Sequence, residues 1–399
     1  KNVLSTFFFL SSYLTYLYYI NEEKRVRKRG FYVIALLLFL LALFTKVSAV
    51  VLPILLMLYD FCFLRKKWWN SLHDKMPFLL LSIIFSVITV WVYHSGQYLV
   101  DYHGGSFYFN TLAMGNVIIE YIIYLIAPFY LDNYYITPIP KSLFETQVML
   151  SLAAILMLSF LAWISLRKSR IFFFWFGWFG ITLLPMLNIV PIAILRADRY
   201  MYLPAIGFYY LISLGIAKIC EIKPRLYYYT ACFLSIVVIA GSYSFLTIGR
   251  SKIWKDTNTL WLDNLKKFPT NSRAFSGIGG YFFEQGELDK AITYFKNGLL
   301  VDPQNIPLLN SLSKAYRINK MYDKAEDLSL QAIQLDPNDS DSYNSLGAIY
   351  YDKGEMEKAE QYFTKAIRIN PKNWSPHTNM GVIYFKKRLF DEAIQEFEK

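Results

Sequence analysis

A short loop at residues 196–204, with the sequence RADRYMYLP, lies between two strongly apolar stretches. Guanidinium groups bind phosphate oxygens through paired hydrogen bonds, so Arg196 and Arg199 could hold a phosphate. Asp198 between them could orient one arginine or bind a divalent cation. Charge beside a membrane span is costly unless it faces water, protein or an ionic ligand. The residues alone leave two interpretations open: a phosphate-binding site, or a positive loop that Tyr200 and Tyr202 anchor among lipid head groups.

No established catalytic motif accompanies this loop. The sequence contains no Walker loop, no GxSxG, no HExxH and no paired Cys/His set. Its three cysteines lie in or beside apolar segments without CxxC spacing, which is typical of packing residues. Asp101 and His103 form a lone pair of candidate metal ligands. A divalent metal ion therefore stays a candidate cofactor, with no ligand set identified.

The elements that must position the loop are membrane spans. Apolar runs long enough to cross a bilayer, each of roughly 17–25 residues, dominate the first part of the chain. They lie at about 3–20, 31–45 joined to 47–64, 76–94, 145–166, 171–190, 203–220 and 226–248. Residues 1–250 hold 21 Lys/Arg against 10 Asp/Glu, whereas residues 251–399 hold 20 of each. Because the basic residues form short clusters between apolar runs, we assign them to membrane topology and expect no nucleic-acid partner.

The basic clusters orient these spans. The loops at 24–29, 65–75, 167–170 and 218–225 contain 15 positive charges, against 6 on the opposite side. The positive-inside rule places the first group in the cytoplasm. The residues at 95–144, the 196–204 loop and everything after Arg250 then share the external face. Residues 112–130 would break this alternation as a full span, so we predict a re-entrant or interfacial helix there; an ordinary span is the alternative.

The second part of the chain is a repeat array. Pro269, Pro303, Pro337 and Pro371 recur every 34 residues, as do Ala291, Ala325, Ala359 and Ala393. This period, with small and aromatic residues at fixed positions, is the tetratricopeptide signature, and it predicts a curved helical solenoid with a concave binding face. We predict peptide binding by asparagine amides on that face; solvated polar positions are the alternative. The candidate residues are Asn310 and Asn344, which keep the period, and Asn379, which lies one residue out of register.

These patterns predict an all-α protein: a polytopic helical membrane domain followed by a tetratricopeptide-repeat α-solenoid. The predicted domains are a multi-span membrane domain at 1–250, a linker helix at 251–271 and repeats at 272–399. Three complete repeats begin near Ser272, Ile306 and Ser340, and a fourth is truncated. The chain begins at Lys1 without a methionine, so we expect a fragment whose first span and first external loop lie upstream.

Four segments together resemble a known family. They are NVLSTFF at 2–8, FTK at 44–46 running to LP at 52–53, LPMLNIVP at 184–191 and ADRYMYLPAIG at 197–207. With the repeats that follow, the chain resembles the transmembrane-and-tetratricopeptide O-mannosyltransferases and their bacterial relatives, within the C-type glycosyltransferase superfamily. The resemblance covers essentially the whole chain.

The resemblance implies an integral membrane enzyme that transfers a sugar from a polyprenyl phosphate to protein hydroxyls on the outer face. It places the catalytic acid in an external loop upstream of Lys1. It also implies a loop beside the donor phosphate, formed by Arg196, Asp198, Arg199, Tyr200 and Tyr202. Animal members tend to carry glutamate beside the arginine where this chain has Ala197-Asp198, which leaves the role of Asp198 open.

We therefore expect a glycosyltransferase in the full-length protein, in a bacterial inner membrane, with extracytoplasmic repeats that present a protein or peptide acceptor. Two alternatives remain. One is a non-enzymatic membrane scaffold whose repeats assemble envelope proteins. The other is a polysaccharide ligase or polymerase, because some of these also combine many spans with such repeats.

Overall fold

The computed structural model describes residues 1–64, 71–95, 101–191, 194–222 and 226–399. Over those residues it confirms the predicted all-α class: the regular elements are helices joined by turns and loops. The chain divides into two compact units, Lys1–Leu246 and Thr247–Lys399.

The first unit is a set of apolar helices. Seven helical segments among the described residues are long and apolar enough to cross a membrane. The predicted basic clusters at 65–67 and at 223 and 225 lie outside the described residues. The helices are α1 (Asn2–Asn21), α2 (Arg25–Thr45), α3 (Leu52–Tyr59), α4 (Met76–Ser95), α5 (Phe107–Ile126), α6 (Thr146–Lys168), α7 (Arg170–Leu183), α8 (Pro204–Ile222) and α9 (Leu226–Ile253).

Helices α1 and α2 form a tightly packed hairpin. Buried serines of α1 bond the backbone of α2: Ser12 Oγ donates to the Ala35 carbonyl at 2.7 Å, and Ser5 Oγ donates to the Ala42 carbonyl at 3.3 Å. At the far end, Tyr16 donates to Asp74 at 2.6 Å, and the buried Lys75 binds the same aspartate at 2.9 Å. These bonds fix the register of the hairpin. The start of α1 therefore lies beside the end of α2.

Helix α7 is shorter than the span predicted at 171–190. It ends at Leu183 and continues only as a 3₁₀ turn, Leu184–Met186. The reason is Pro185, which has no N–H to donate and whose ring obstructs an α-helix. The turn directs the chain towards the 196–204 loop, which ends where Trp178 Nε1 donates to the Leu203 carbonyl at 3.0 Å. Helix α8 then begins at Pro204, a residue well suited to a first helical turn.

Helix α5 occupies the segment predicted to be re-entrant. It is a single 20-residue helix, and by length and composition alone it could also cross a membrane. It follows the chain between α7 and α8 over most of its length: Asn110 Nδ2 donates to the Asn188 carbonyl at 3.2 Å, and the Tyr121 hydroxyl bonds the backbone of Ala197. At its end, the Leu125 carbonyl accepts a bond from Tyr209 in α8 at 2.8 Å. The re-entrant orientation stays a prediction.

The second unit consists of paired helices. A preceding helix, α10 (Thr257–Lys267), packs against the first pair. The four pairs, α11 to α18 in order, are Ser272–Glu284 with Leu288–Val301, Ile306–Ile318 with Tyr322–Leu335, Ser340–Lys353 with Met356–Ile369, and Trp374–Lys386 with Phe390–Phe397. Successive pairs begin 34 residues apart, which confirms the predicted repeats.

Small residues allow the two helices of each pair to approach closely. A Cβ atom added at Gly279 would lie 2.5 Å from the ring of Phe295, and one at Gly347 would lie 2.7 Å from the ring of Phe363. The second pair differs, because Ser313 and Ser329 occupy these positions and their hydroxyls are 2.8 Å apart. A hydrogen bond there replaces the glycine–phenylalanine contact.

Candidate functional site

Arg196 is an internal anchor of the 196–204 loop. It is only 6% exposed, and its guanidinium forms an ion pair with Glu120 of α5. The same group lies 4.1 Å from the ring centroid of Tyr135 and 5.6 Å from that of Tyr124. Burial lowers the pKa of Arg196 to about 10, which still leaves the side chain charged at neutral pH. Arg196 thus fastens the loop to α5 through charge and aromatic contacts.

Asp198 is held by the same aromatic cluster. Tyr135 donates its hydroxyl proton to Asp198 Oδ1 at 2.5 Å and accepts a bond from the Asp132 N–H at 2.8 Å. Burial, together with the charge of Asp198, raises the pKa of Tyr135, so the tyrosine keeps its proton for this bond. One face of the loop is therefore committed to internal contacts.

Arg199, Tyr200 and Tyr202 belong to a different environment. They line a small, shallow pocket of about 10 Å³ together with Lys46, which lies between the apolar segments Arg25–Thr45 and Val47–Leu64. The other lining residues are Asn2, Ser5, Thr6, Ser48, Thr182, Met186 and Leu203. We call this site the cationic pocket. It brings together residues from all four of the segments that suggested the family resemblance.

Two cations contact one aromatic ring in the cationic pocket. The Lys46 ammonium lies 5.2 Å from the ring centroid of Tyr200, and the Arg199 guanidinium lies 5.6 Å from it. Burial, and then repulsion by Arg199, lowers the pKa of Lys46 to about 8. No Asp or Glu is among the described residues that line the pocket. The remaining polar groups there are hydroxyls and one amide, so the electrostatics favour an anion.

Sequence reasoning did not assign two residues that the structure brings to this region. Lys46 belonged to the FTK segment and separated two apolar runs but was given no role, and Glu120, within the apolar segment 112–130, was not considered. A charge inside such a run is itself a signal of function or pairing. The sequence could not show that Glu120 pairs with Arg196, because the two residues are 76 positions apart. As for metal ligands, no group of three or more His, Cys, Asp or Glu side chains converges within the described part of the chain.

The three predicted peptide-binding asparagines join successive repeats. Asn310 Nδ2 donates to Asp339 at 2.9 Å, and its Oδ1 accepts from the Ser342 hydroxyl at 3.0 Å. Asn344 Nδ2 donates to the Ser375 hydroxyl at 3.0 Å, and its Oδ1 accepts from Asn379 Nδ2 at 2.8 Å. Each amide retains further hydrogen-bonding capacity, because a primary amide has two donors and two acceptor lone pairs.

Asn344 and Asn379 also line a groove of about 290 Å³ on the first helices of the repeats. Lys314 and Arg317 stand at one side of this groove, and Arg317 is bound to Asp352 at 2.6 Å. The groove is thus both polar and charged, as expected for a surface that binds a peptide. Peptide binding itself stays a prediction.

Comparison with known proteins gives three results. Models of the tetratricopeptide repeat family match residues 306–339, 340–373 and 362–395. Among solved structures, the chain is similar to one described as the crystal structure of MamA, with 27% identity, coverage of 35% of this chain and 81% of the other, and a TM-score of 0.30.

The curated relatives are protein O-mannosyltransferases. The chain is 20% identical to Protein O-mannosyl-transferase Tmtc3 of Drosophila melanogaster over 42% of its own length and 18% of the relative. It is 25% identical to Protein O-mannosyl-transferase TMTC1 of Homo sapiens over 30% of its length and 14% of the relative. The chain thus matches less than a fifth of the length of these relatives. These similarities confirm the resemblance to the transmembrane-and-tetratricopeptide O-mannosyltransferases.

Proposed function

We propose that this chain is part of a membrane glycosyltransferase that moves a sugar from a polyprenyl phosphate to protein hydroxyls on the extracytoplasmic face. The observation that carries the proposal is the cationic pocket. Lys46 and Arg199 line it with hydroxyl and amide groups and without a carboxylate among the described residues. Such a site suits a phosphate group at membrane level. The similarity to O-mannosyltransferases supports mannose as the sugar.

The residues of the 196–204 loop take different roles in this proposal. Arg199 and Lys46 contact the donor phosphate, and Tyr200 supports both cations with its ring. Tyr202 lines the pocket and is 49% exposed, so its side chain can contact the donor. Arg196 holds the loop against α5, and Asp198 is bound to Tyr135 in the loop that follows α5, so neither side chain touches the phosphate. This division follows from burial, because Arg196 is already paired inside the protein.

The repeats present the acceptor. Charge asymmetry in the sequence puts the repeats and the 196–204 loop on the same face of the membrane. An acceptor polypeptide held along the groove by Asn344 and Asn379 gains effective concentration at the transfer site. A scaffold that only assembles envelope proteins does not need two cations at the membrane with no carboxylate among the described residues around them.

The test uses full-length protein reconstituted in liposomes with polyprenyl-phosphate mannose and a protein acceptor. We expect Arg199→Ala to lower kcat about 100-fold, because it removes a charge that stabilises the leaving phosphate. The control is Arg167→Ala, which removes an exposed arginine from the end of α6 and should leave kcat unchanged. Unchanged transfer by Arg199→Ala would contradict the proposed role of Arg199. Absence of any transfer by the wild-type protein would favour the scaffold. Transfer by the wild-type protein to growing glycan chains would favour the ligase or polymerase.

A further inference from the structure

We infer that the cationic pocket discriminates between charge states of its ligand, and that it binds a lipid phosphate monoester more tightly than the phosphodiester from which that monoester is released. The inference rests on the proposed function, because it concerns the same site. It adds Lys46 as a catalytic residue that stabilises the leaving group.

The pocket holds two cations in mutual repulsion. Lys46 and Arg199 both lie against the ring of Tyr200, and no carboxylate is among the described lining residues. The repulsion is large enough to contribute to the lowered pKa of Lys46, which is about 8. An anion placed between the cations relieves this repulsion, and each negative charge that it carries adds to the effect.

The charge of the ligand increases during sugar transfer. In the donor, the phosphate is a diester of lipid and sugar, with one negative charge. When the acceptor oxygen bonds the anomeric carbon, the bond from that carbon to the phosphate oxygen breaks and its electron pair stays on the phosphate. The acceptor proton goes to a general base, and the lipid phosphate leaves with up to two negative charges.

Two cations match this product better than they match the donor. An interaction that strengthens as the reaction proceeds lowers the barrier, whereas one that is equally strong throughout does not. Lys46 supplies such an interaction, because its protonated form is favoured most when the second negative charge develops. The pocket is therefore complementary to the departing phosphate, and Lys46 acts with Arg199 on the same oxygen atoms.

The affinity for a monoester should pass through a maximum with pH. Below about pH 6 the monoester gains a proton and becomes a monoanion like the diester. Above about pH 8 Lys46 loses its proton, since its pKa is near that value. Among the described residues, the other titratable and charged groups that line the pocket are Arg199, Tyr200 and Tyr202, and Tyr93 interacts with Tyr200. Burial raises the pKa of Tyr200, so that residue stays neutral through this interval.

The experiment measures binding to the detergent-solubilised full-length protein without any transfer reaction. The probes are dodecyl phosphate and its methyl ester, which share a tail and differ by one charge near pH 7.5. We expect Kd for dodecyl phosphate to be about tenfold lower, a ratio in keeping with one added charge pair in a partly buried site. In the wild-type protein, the ratio of the Kd of the methyl ester to that of dodecyl phosphate should fall towards one above pH 9. This measurement needs no variant.

Lys46→Met isolates the lysine. It keeps an unbranched side chain and should lower the Kd ratio, because Arg199 is then the one remaining cation of the pair, while Lys141→Met, at an exposed lysine, should leave the ratio unchanged. A thermal unfolding curve confirms that each variant is folded, and Lys46→Arg should restore the preference below pH 8 and extend it above pH 9. Equal Kd values for the two probes, or an unaltered ratio in Lys46→Met, would overturn the inference. If Arg199→Ala loses transfer while the two probes bind with equal Kd values, the proposed function is supported and the inference about monoester preference is wrong.

Discussion

At the scale of single residues, two arginines three positions apart have different environments. Arg196 is buried between tyrosine rings and paired with Glu120, whereas Arg199 is exposed and lines the cationic pocket. Their sequence context is nearly the same, so the sequence suggested one shared role for both. The difference arises from α5, which supplies the partner of Arg196 from a distant part of the chain. A phosphate clamp and a structural anchor therefore coexist in one short loop.

This difference makes a prediction about stability. Arg196→Met removes the cation and leaves Glu120 without its partner, so we expect a loss of about 3 kcal/mol in the free energy of unfolding. Adding Glu120→Gln should recover part of that loss, because the uncompensated charge is then gone. The measurement is thermal unfolding in detergent. Arg199→Met is the matched control and should stay within about 0.5 kcal/mol of the wild type; a cost as large as that of Arg196→Met would show that both arginines are structural.

At the scale of elements, the sequence predicted the repeats well and the membrane site only in part. The repeat helices follow from local periodicity, with Pro, Gly and Ala at fixed positions. The end of α7 was misplaced because an apolar run continues past Pro185, although the helix does not. The cationic pocket depends on how α1, α2 and the 196–204 loop pack, and no local pattern encodes that arrangement. The family resemblance identified the segments without showing that Lys46 and Arg199 face one ring.

The second repeat offers a test of helix pairing. Ser313 and Ser329 bond each other where neighbouring repeats place glycine against phenylalanine. Ser329→Phe should destabilise the array by about 2 kcal/mol, because the ring meets the Cβ atom of Ser313. Combining it with Ser313→Gly recreates the arrangement of Gly347 and Phe363, so the double variant should be more stable than Ser329→Phe alone.

Hydrogen exchange of the intact protein measures the change in local stability over the two helices of this repeat, Ile306–Ile318 and Tyr322–Leu335. Ser313→Gly alone is the control, and it isolates the loss of the hydroxyl bond together with the cost of glycine in a helix. Additive effects of the two substitutions would show that these positions do not contact each other as the structure indicates.

At the scale of the whole molecule, the proposal depends on the orientation of the first unit in the membrane. The residues before α5 share one face with the 196–204 loop and everything after Arg250 only if α5 does not cross the membrane. The contacts of α5 with Asn188 and Ala197 agree with a helix that follows the chain between α7 and α8. Its length, however, also suits a span. The side on which the chain enters and leaves α5 therefore decides the topology.

Cysteine labelling resolves this question. In a variant with the three native cysteines replaced by alanine, we place single cysteines at Asp101, before α5, and at Lys141, after it; both positions are exposed. A membrane-impermeant maleimide added outside intact cells or spheroplasts should label both, because a re-entrant helix returns the chain to the side it came from. Lys168→Cys, in a predicted cytoplasmic cluster, should react only after permeabilisation. If Asp101→Cys and Lys141→Cys react from opposite sides, α5 crosses the membrane. The basic cluster at 167–170 then loses its cytoplasmic assignment, or α6 does not span.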